Sequence, residues 1–162
     1  MTTTLVATLA STDSFDEFYQ TEVDGLYRAL SLALGSADLA SEAVDEAMTR
    51  AYQRWSKVGA LDNPAGWVYR VATNWSISRL RKHNRERLGE DWSATKIDDY
   101  ADVDLYRALS RLPVDARSAV VMRHLLGWST AEAAEALAMK EGTLKSKLSR
   151  ALGQLREEME RV

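Results

Sequence analysis

The residues with the clearest chemical potential lie between Lys140 and Arg156, where five Lys or Arg stand against one acid. Helical spacing places cationic and hydroxyl side chains on one face and leucines on the other. Lys and Arg neutralise phosphate, and Lys, Arg and Ser side chains reach base edges in the major groove, which is about 12 Å wide. The segment therefore predicts a helix that binds duplex DNA. Its outward residues are Thr143, Lys145, Ser146, Ser149 and Arg150.

Residues suited to catalysis or metal binding are scarce. The chain has no cysteine, and its two histidines, His83 and His124, lie far apart without recognisable ligand partners. No nucleophile with an acid-base pair is evident, so we expect neither an enzyme nor a cofactor. The first residues carry no basic segment and no apolar run of about 20 residues, which predicts a cytoplasmic protein without membrane insertion.

The elements that must position the cationic face form a helix-turn-helix. Ser129 with Glu132 fits a capping box that opens a short Ala-rich helix, followed by a tight turn and a final helix over residues 142–161. Two further helices, over residues 104–111 and 114–126, precede the pair. An ordinary amphipathic hairpin with solvated cations is the alternative, but this order of features favours DNA binding.

The first part of the chain predicts a flexible segment followed by a helix. Residues 1–13 show no strong pattern, and we expect them to be flexible. Ser14 with Glu17 fits a second capping box, and apolar residues then recur at helical spacing as far as Gly35. The first helix is therefore predicted to begin at Ser14.

Two more helices complete the N-terminal half. A second helix is predicted over residues 38–55, with an acidic outer face, and Asn63 before Pro64 predicts the start of a third helix that ends near residue 87. Aromatics at helical spacing favour core packing over base stacking. The positions expected to face the core are Leu39, Ala43, Ala47, Ala51, Trp55, Val68, Val71, Ala72 and Trp75, with Trp67 and Tyr69 also assigned to it.

Residues 89–103 lose helical periodicity and become acidic, which predicts a linker. The composition, rich in helix formers and with only 2 prolines, favours an all-α fold. We therefore predict two small helical domains, a bundle over residues 14–88 and a helix-turn-helix domain over residues 104–162, joined by the acidic linker.

The net charge of −3 argues against a DNA partner until its distribution is considered. Nine acids against one Arg fall between residues 13 and 46, and five Lys or Arg against one acid between residues 79 and 87. Six acids against one Lys follow between residues 90 and 104. The charge is thus arranged in alternating blocks, two of which are basic.

The segment GWSTAEAAEALAMKEGTLKSKLSRALGQL resembles region 4 of sigma-70 superfamily initiation factors, especially the extracytoplasmic-function (ECF) group. The N-terminal half is similar to region 2 of that group through DLASEAVDEAMTRAYQRW and NPAGWVYRVATNWSISRLRKHNR. Together the two cover nearly the whole chain from Phe15 to Met159. Three positions depart from the family pattern, with Asp45 in place of a common Gln, Val58 in place of an aromatic, and Ala138 in place of Gly or Asn.

The resemblance implies a sigma factor that binds core RNA polymerase and recognises the −10 and −35 promoter elements. It implies docking of the second helix on the β′ clamp helices through Glu42, Asp45, Glu46, Thr49, Arg50 and Gln53. It implies single-stranded −10 binding by Val58, Asn63, Asn74, Ser78, Arg79, Arg81 and Lys82. It adds Arg123 to the −35 contacts.

The resemblance also implies further partners and leaves alternatives open. The implied protein partners are the β flap of polymerase and an anti-sigma factor. The acidic linker is expected either to thread the RNA exit channel or to act as a plain tether. A stand-alone helix-turn-helix regulator and a helical protein-interaction module are the competing functions. Binding to core polymerase would distinguish them.

Overall fold

The computed structural model describes the backbone of residues 2–86 and 103–161 and the side chains of residues 14–82 and 104–161. These residues form helices and turns without a strand, as the composition predicts. Most of the predicted linker lies outside them. The helices are α1 (Thr2–Leu34), α2 (Ala37–Gln53), α3 (Trp55–Val58), α4 (Pro64–Glu86), α5 (Val103–Ser110), α6 (Val114–His124), α7 (Thr130–Ala136) and α8 (Glu141–Glu160).

The first helix is longer than predicted. It begins at Thr2, so the predicted start at Ser14 is wrong, and residues 2–13 are helical where we expect a flexible segment. No proline interrupts this stretch, and extending an existing helix costs much less than nucleating a new one. The helix ends before Gly35, whose φ of +72° is a conformation that glycine adopts at little cost.

The predicted second helix is divided in two. Ser36 caps α2 by accepting a hydrogen bond from the Leu39 amide at 3.1 Å. The helix ends at Gln53, and Arg54, with φ −119° and ψ 25°, separates it from the single turn of α3. The predicted core face is confirmed, since all five of its positions from Leu39 to Trp55 are buried.

The start of α4 is confirmed. Asn63 precedes Pro64, and its Oδ1 accepts a hydrogen bond from the Gly66 amide at 3.1 Å. Val68 and Ala72 are fully buried on the inner face, while Val71 and Trp75 are half-buried. The third predicted helix is therefore present with its expected inner side.

The helix-turn-helix is also confirmed. Both hydrogen bonds of the capping box are present, from the Glu132 amide to Ser129 Oγ at 3.0 Å and from the Ser129 amide to Glu132 Oε1 at 3.1 Å. Ala138, in the turn between α7 and α8, has φ +54°, which only glycine and asparagine adopt easily. The turn is therefore strained at the position that departs from the family pattern.

The helices of the two predicted domains share one hydrophobic core. Leu26 of α1 and Tyr69 of α4 belong to the same buried cluster as Met122 of α6 and Trp128. A smaller cluster, which includes Leu109 of α5, joins α5, α6 and α8. The first helical group (α1–α4) and the second (α5–α8) are therefore packed together, which the sequence does not predict.

Candidate nucleic-acid interface

The recognition helix α8 is held by its leucine face. Leu144 is fully buried and belongs to the same cluster as Ala133 and Ala134 of α7. The Met139 amide donates to the Ala134 carbonyl at 3.0 Å and closes the turn between the helices. This packing fixes the face of α8 that points to solvent.

The predicted duplex-binding residues of α8 all lie on that exposed face. Their contacts are local: Lys145 Nζ is 3.6 Å from Glu141, and Arg150 Nε donates to the Ser146 carbonyl at 3.3 Å. An exposed ion pair of this kind contributes roughly 0–1 kcal/mol, so a phosphate can replace it at small cost. The face can therefore bind a DNA backbone without prior rearrangement.

Arg123 has a different environment. Its Nη1 donates to the Trp128 carbonyl, and its Nε is buried without a hydrogen-bond partner among the described residues. The side chain therefore ties the end of α6 to the residue just before the helix-turn-helix. A contact between Arg123 and the DNA backbone would require the guanidinium to extend outward.

The predicted −10 residues on α4 form an exposed face. Four of them are exposed and are spaced to lie on one side of the helix: Asn74, Ser78, Arg81 and Lys82. Arg79 is exposed too but points toward α2, with its Nη2 3.4 Å from Glu42 and its guanidinium 5.3 Å from the Trp75 ring centroid. The face combines an amide, a hydroxyl and cations, which suits a single-stranded backbone.

Val58 does not lie in this face. Its side chain is 2% exposed and belongs to the hydrophobic core, so it cannot contact a base without movement of the loop. The expectation that Val58 lines the base pocket is corrected accordingly. The physical reason is that residues 55–58 form a helical turn that directs Trp55 and Val58 inward.

Two cavities lie between α4 and the second helical group. A cleft of about 450 Å³ is lined by Asn74 and Arg70 of α4 on one side and by α6 and α7 on the other. A smaller cavity of about 170 Å³ is lined by Asn63 and Arg70 on one side and by the acids of α7 on the other. Arg70 is exposed and lies four residues before Asn74. Sequence reasoning missed it, although this spacing places both residues on one helix face.

The outer face of α2 is a separate polar surface. Five of the predicted docking residues are exposed, namely Glu42, Asp45, Thr49, Arg50 and Gln53. The sixth, Glu46, is half-buried, and its carboxylate accepts a hydrogen bond from Arg50 Nε at 3.0 Å. Beside them lies a groove of about 320 Å³ that is lined by aromatic rings of α1 and by Tyr52. Tyr52, which the sequence analysis missed, is 53% exposed and contacts Phe15 edge to face with centroids 5.2 Å apart.

Two ionisable groups hold α6 against its neighbours. Burial raises the pKa of Tyr69 well above its ordinary value, so its hydroxyl stays protonated and donates to Ser118 Oγ at 2.8 Å. A hydrogen bond from the Lys147 ammonium lowers the pKa of the Asp115 carboxyl, which links α6 to α8. Both groups are structural in this arrangement.

The described residues give no sign of other site types. Among residues 14–82 and 104–161, no cluster of three His, Cys, Asp or Glu could hold a metal ion. Across the part of the chain that the structure describes, no helix combines the length and apolar character needed to span a bilayer.

The fold and these faces define an all-α protein with a helix-turn-helix and a second basic helical face. Comparison with known families matches sigma-70 region 2 to residues 18–86 and sigma-70 region 4 to residues 102–155. The chain is 33% identical over 151 residues to the RNA polymerase sigma-E factor of Streptomyces coelicolor, covering 90% of this chain and 85% of the relative. It is 30% identical to the ECF RNA polymerase sigma factor SigM of Mycobacterium tuberculosis, covering 88% and 75%.

A solved structure shares the fold. It is the complex of the sigma factor RpoE with the anti-sigma factor NepR from Bartonella quintana, with a TM-score of 0.71, 24% identity and coverage of 89% of this chain and 97% of that one. The chain belongs to the ECF group of the sigma-70 family of RNA polymerase sigma factors. The presence of region 2 beside region 4 disfavours a stand-alone helix-turn-helix regulator and a general interaction module.

Proposed function

We propose that this sigma factor docks on core RNA polymerase through the outer face of α2, captures the −10 element as a single strand on α4 and reads the −35 element as duplex with α8. The observation that carries the proposal is that the two matched regions present separate basic, exposed faces. These are the face of α4 around Asn74 and the face of α8 around Lys145.

The two basic faces suit different forms of DNA. The α8 face is an exposed helix surface, and a helix of this kind fits the major groove. The α4 face lies beside cavities lined by Asn63 and Asn74, and an unstacked base needs such pockets together with phosphate contacts. We therefore assign duplex reading to α8 and strand capture to α4.

The α2 face suits a protein partner. Its exposed acids would disfavour DNA, while the adjacent groove with Tyr52 and Phe15 provides apolar area that a helix of the partner can bury. We assign this surface to the β′ clamp helices, and the second helical group to the β flap. An anti-sigma factor is a further proposed partner. Because polymerisation chemistry belongs to the polymerase, we assign no enzymatic activity to the chain itself. We assign it a cytoplasmic location, where the polymerase acts.

In vitro transcription tests the assignment. Purified core polymerase is combined with the chain and a library of randomised promoters, and the selected −10 and −35 sequences are read from the transcribed templates. We expect a defined pair of elements. The absence of any promoter-specific transcript, with core polymerase shown to be active, would contradict the proposal.

One substitution separates strand capture from docking. Asn74→Ala removes an exposed amide on α4 without touching the core, so it should reduce transcription by at least tenfold and leave affinity for core polymerase unchanged. Gln20→Ala, an exposed amide on α1, is the matched control and should behave as wild type. Normal transcription by the Asn74 variant would remove that residue from the site.

A further inference from the structure

One lysine of the recognition helix is engaged by the helix that supports it. Lys147 of α8 donates a hydrogen bond from its ammonium to the carboxylate of Asp115 on α6. Its side chain is 37% exposed, whereas that of Lys145 is 64% exposed. Lys147 also lies three residues after Leu144 and four before Ala151, which are both buried. It therefore belongs to the packed flank of α8 and not to the face around Lys145.

Asp115 is held in place by its own helix. Its Oδ1 accepts a hydrogen bond from the Ala116 amide at 2.8 Å, and it lies in the first turn of α6, where the helix dipole favours an acid. The hydrogen bond from Lys147 lowers the pKa of the carboxyl, so the acid is ionised at neutral pH. Helix α6 thus presents a fixed carboxylate to one side chain of α8.

The apolar contact beside this pair contains small side chains. Ala116 of α6 and Ala151 of α8 belong to the same buried cluster. A methyl group interdigitates less than a leucine side chain does, so it restricts the rotation of one helix on another less tightly. A polar pair next to such a contact can select one packing arrangement among similar ones. The ion pair is placed to fix how α8 is rotated on α6.

The rotation of α8 matters because the pair lies in the part of the helix that carries the duplex-reading side chains. Lys147 adjoins Ser146, and Thr143 and Arg150 lie within about one turn of it on either side. Side chains that read bases must be held within about 0.5 Å and 10–20° of their productive geometry. At about 5–6 Å from the helix axis, a rotation of 20° moves a side chain by roughly 2 Å.

We propose that Lys147 and Asp115 are positioning residues, whose ion pair sets the rotation of α8 on α6 and so aligns the duplex-reading face with the base edges, while neither side chain contacts DNA. This inference rests on the proposed function of α8. It assigns Lys147 to base discrimination and leaves Lys145 available to the DNA backbone.

A competition between two promoters in one reaction tests the inference. The complex of core polymerase with the chain transcribes a template that carries the selected −35 element together with one that differs from it by a single −35 base pair. The ratio of the two transcripts measures base discrimination, and Asp115→Asn and Lys147→Met should each lower it by about threefold or more. A loss of stability lowers the amount of active protein for both templates alike, so it does not change the ratio.

Two further variants test whether the residues act as a pair. Asp115→Asn/Lys147→Met should lower the ratio no further than either single substitution, because each one already removes the same interaction. Lys147→Arg keeps a cation that can donate to Asp115 and should restore most of the wild-type ratio. Additive losses in the double variant, or a ratio in Lys147→Arg as low as in Lys147→Met, would contradict the pair.

The salt dependence of promoter binding separates positioning from a DNA contact. Lys147→Met should leave the slope of log affinity against log salt as in the wild type. A slope reduced by about one, with an unchanged transcript ratio, would make Lys147 a phosphate contact and overturn the inference. Tighter binding of both templates by Asp115→Asn, again with an unchanged ratio, would overturn it too, since Asp115 would then only withhold a cation from DNA.

Glu158→Gln is the matched control. Glu158 forms an ion pair with Arg111 near the C-terminal end of α8, beyond Leu155, the last buried residue of that helix. Its loss should leave the transcript ratio unchanged, and an equal loss of discrimination in this variant would remove the specific role of the Asp115 pair. A wild-type complex that does not discriminate the templates would contradict the proposed function of α8, whereas wild-type discrimination that both pair variants retain would overturn the inference alone.

Discussion

At the scale of single residues, the helix-turn-helix combines a fully satisfied capping box with one strained position in its turn. The capping box at Ser129 and Glu132 satisfies both of its hydrogen bonds, whereas Ala138 holds a left-handed conformation at φ +54°. A left-handed non-glycine residue costs roughly 1–2 kcal/mol. The tight turn thus retains a local strain that a glycine would relieve.

Ala138→Gly should therefore stabilise the protein by up to about 1 kcal/mol, because the relief of strain exceeds the added entropy of the unfolded chain. Denaturant unfolding measures the change. Ala131→Gly, at an exposed position inside α7, is the matched control and should destabilise by about 1 kcal/mol. Destabilisation by both variants would show that the turn does not require positive φ.

The assignment of Lys145 to phosphate or base contact can be measured at the same scale. If Lys145 binds phosphate, Lys145→Ala should weaken binding of the polymerase complex to all −35 sequences alike and reduce the slope of log affinity against log salt by about one. Arg161→Ala removes the same charge about 24 Å away along the helix and should leave the slope unchanged. A loss confined to one −35 sequence would indicate a base contact instead.

At the scale of helices, the sequence predicts best where a local signal coincides with an end. Asn63 before Pro64 and the pair Ser129 and Glu132 mark the true starts of α4 and α7, because each cap satisfies amides of its own helix. Ser14 carries the same signal inside α1, where the preceding residues already supply helical carbonyls. The break at Arg54 has no comparable mark in the sequence.

The link between α6 and α8 gives a prediction on pH dependence. The folded-state pKa of Asp115 is lowered by the hydrogen bond from Lys147, so the contact contributes stability at pH above the ordinary value of 3.8 and loses it as pH falls through the lowered folded value. Asp115→Asn should therefore be less stable than wild type at pH 7, and the difference should shrink as pH falls below 3.8 and the wild-type carboxyl becomes protonated. Asp104→Asn, which removes an acid in the first turn of α5, is the control for a general charge effect. A difference that persists at low pH would mean that Asn disrupts packing.

At the scale of the whole molecule, the sequence predicts which faces of the helices are buried but not how the two helical groups pack against each other. Tyr69 is predicted to be a core residue and is one. Its hydroxyl partner Ser118 on α6 and the neighbouring Trp128 ring are, however, both distant from it in sequence. Helical periodicity identifies which side of α4 is buried and carries no information about which helix covers it. The same reason explains why the sequence does not predict that Val58 is buried or that Arg70 lines the two cavities between the helical groups. Both facts depend on how the helices pack.

The Tyr69–Ser118 contact should couple the two helical groups measurably. Tyr69→Phe removes the donor, leaves the buried Ser118 hydroxyl without this partner and should destabilise the chain by about 1–3 kcal/mol. Tyr69→Phe/Ser118→Ala should recover part of that loss, because removing both partners is less costly than removing one. The double-mutant cycle by denaturant unfolding gives the coupling energy, which we expect to be about 1 kcal/mol. Strictly additive effects of the two substitutions would show that the hydrogen bond does not hold the groups together.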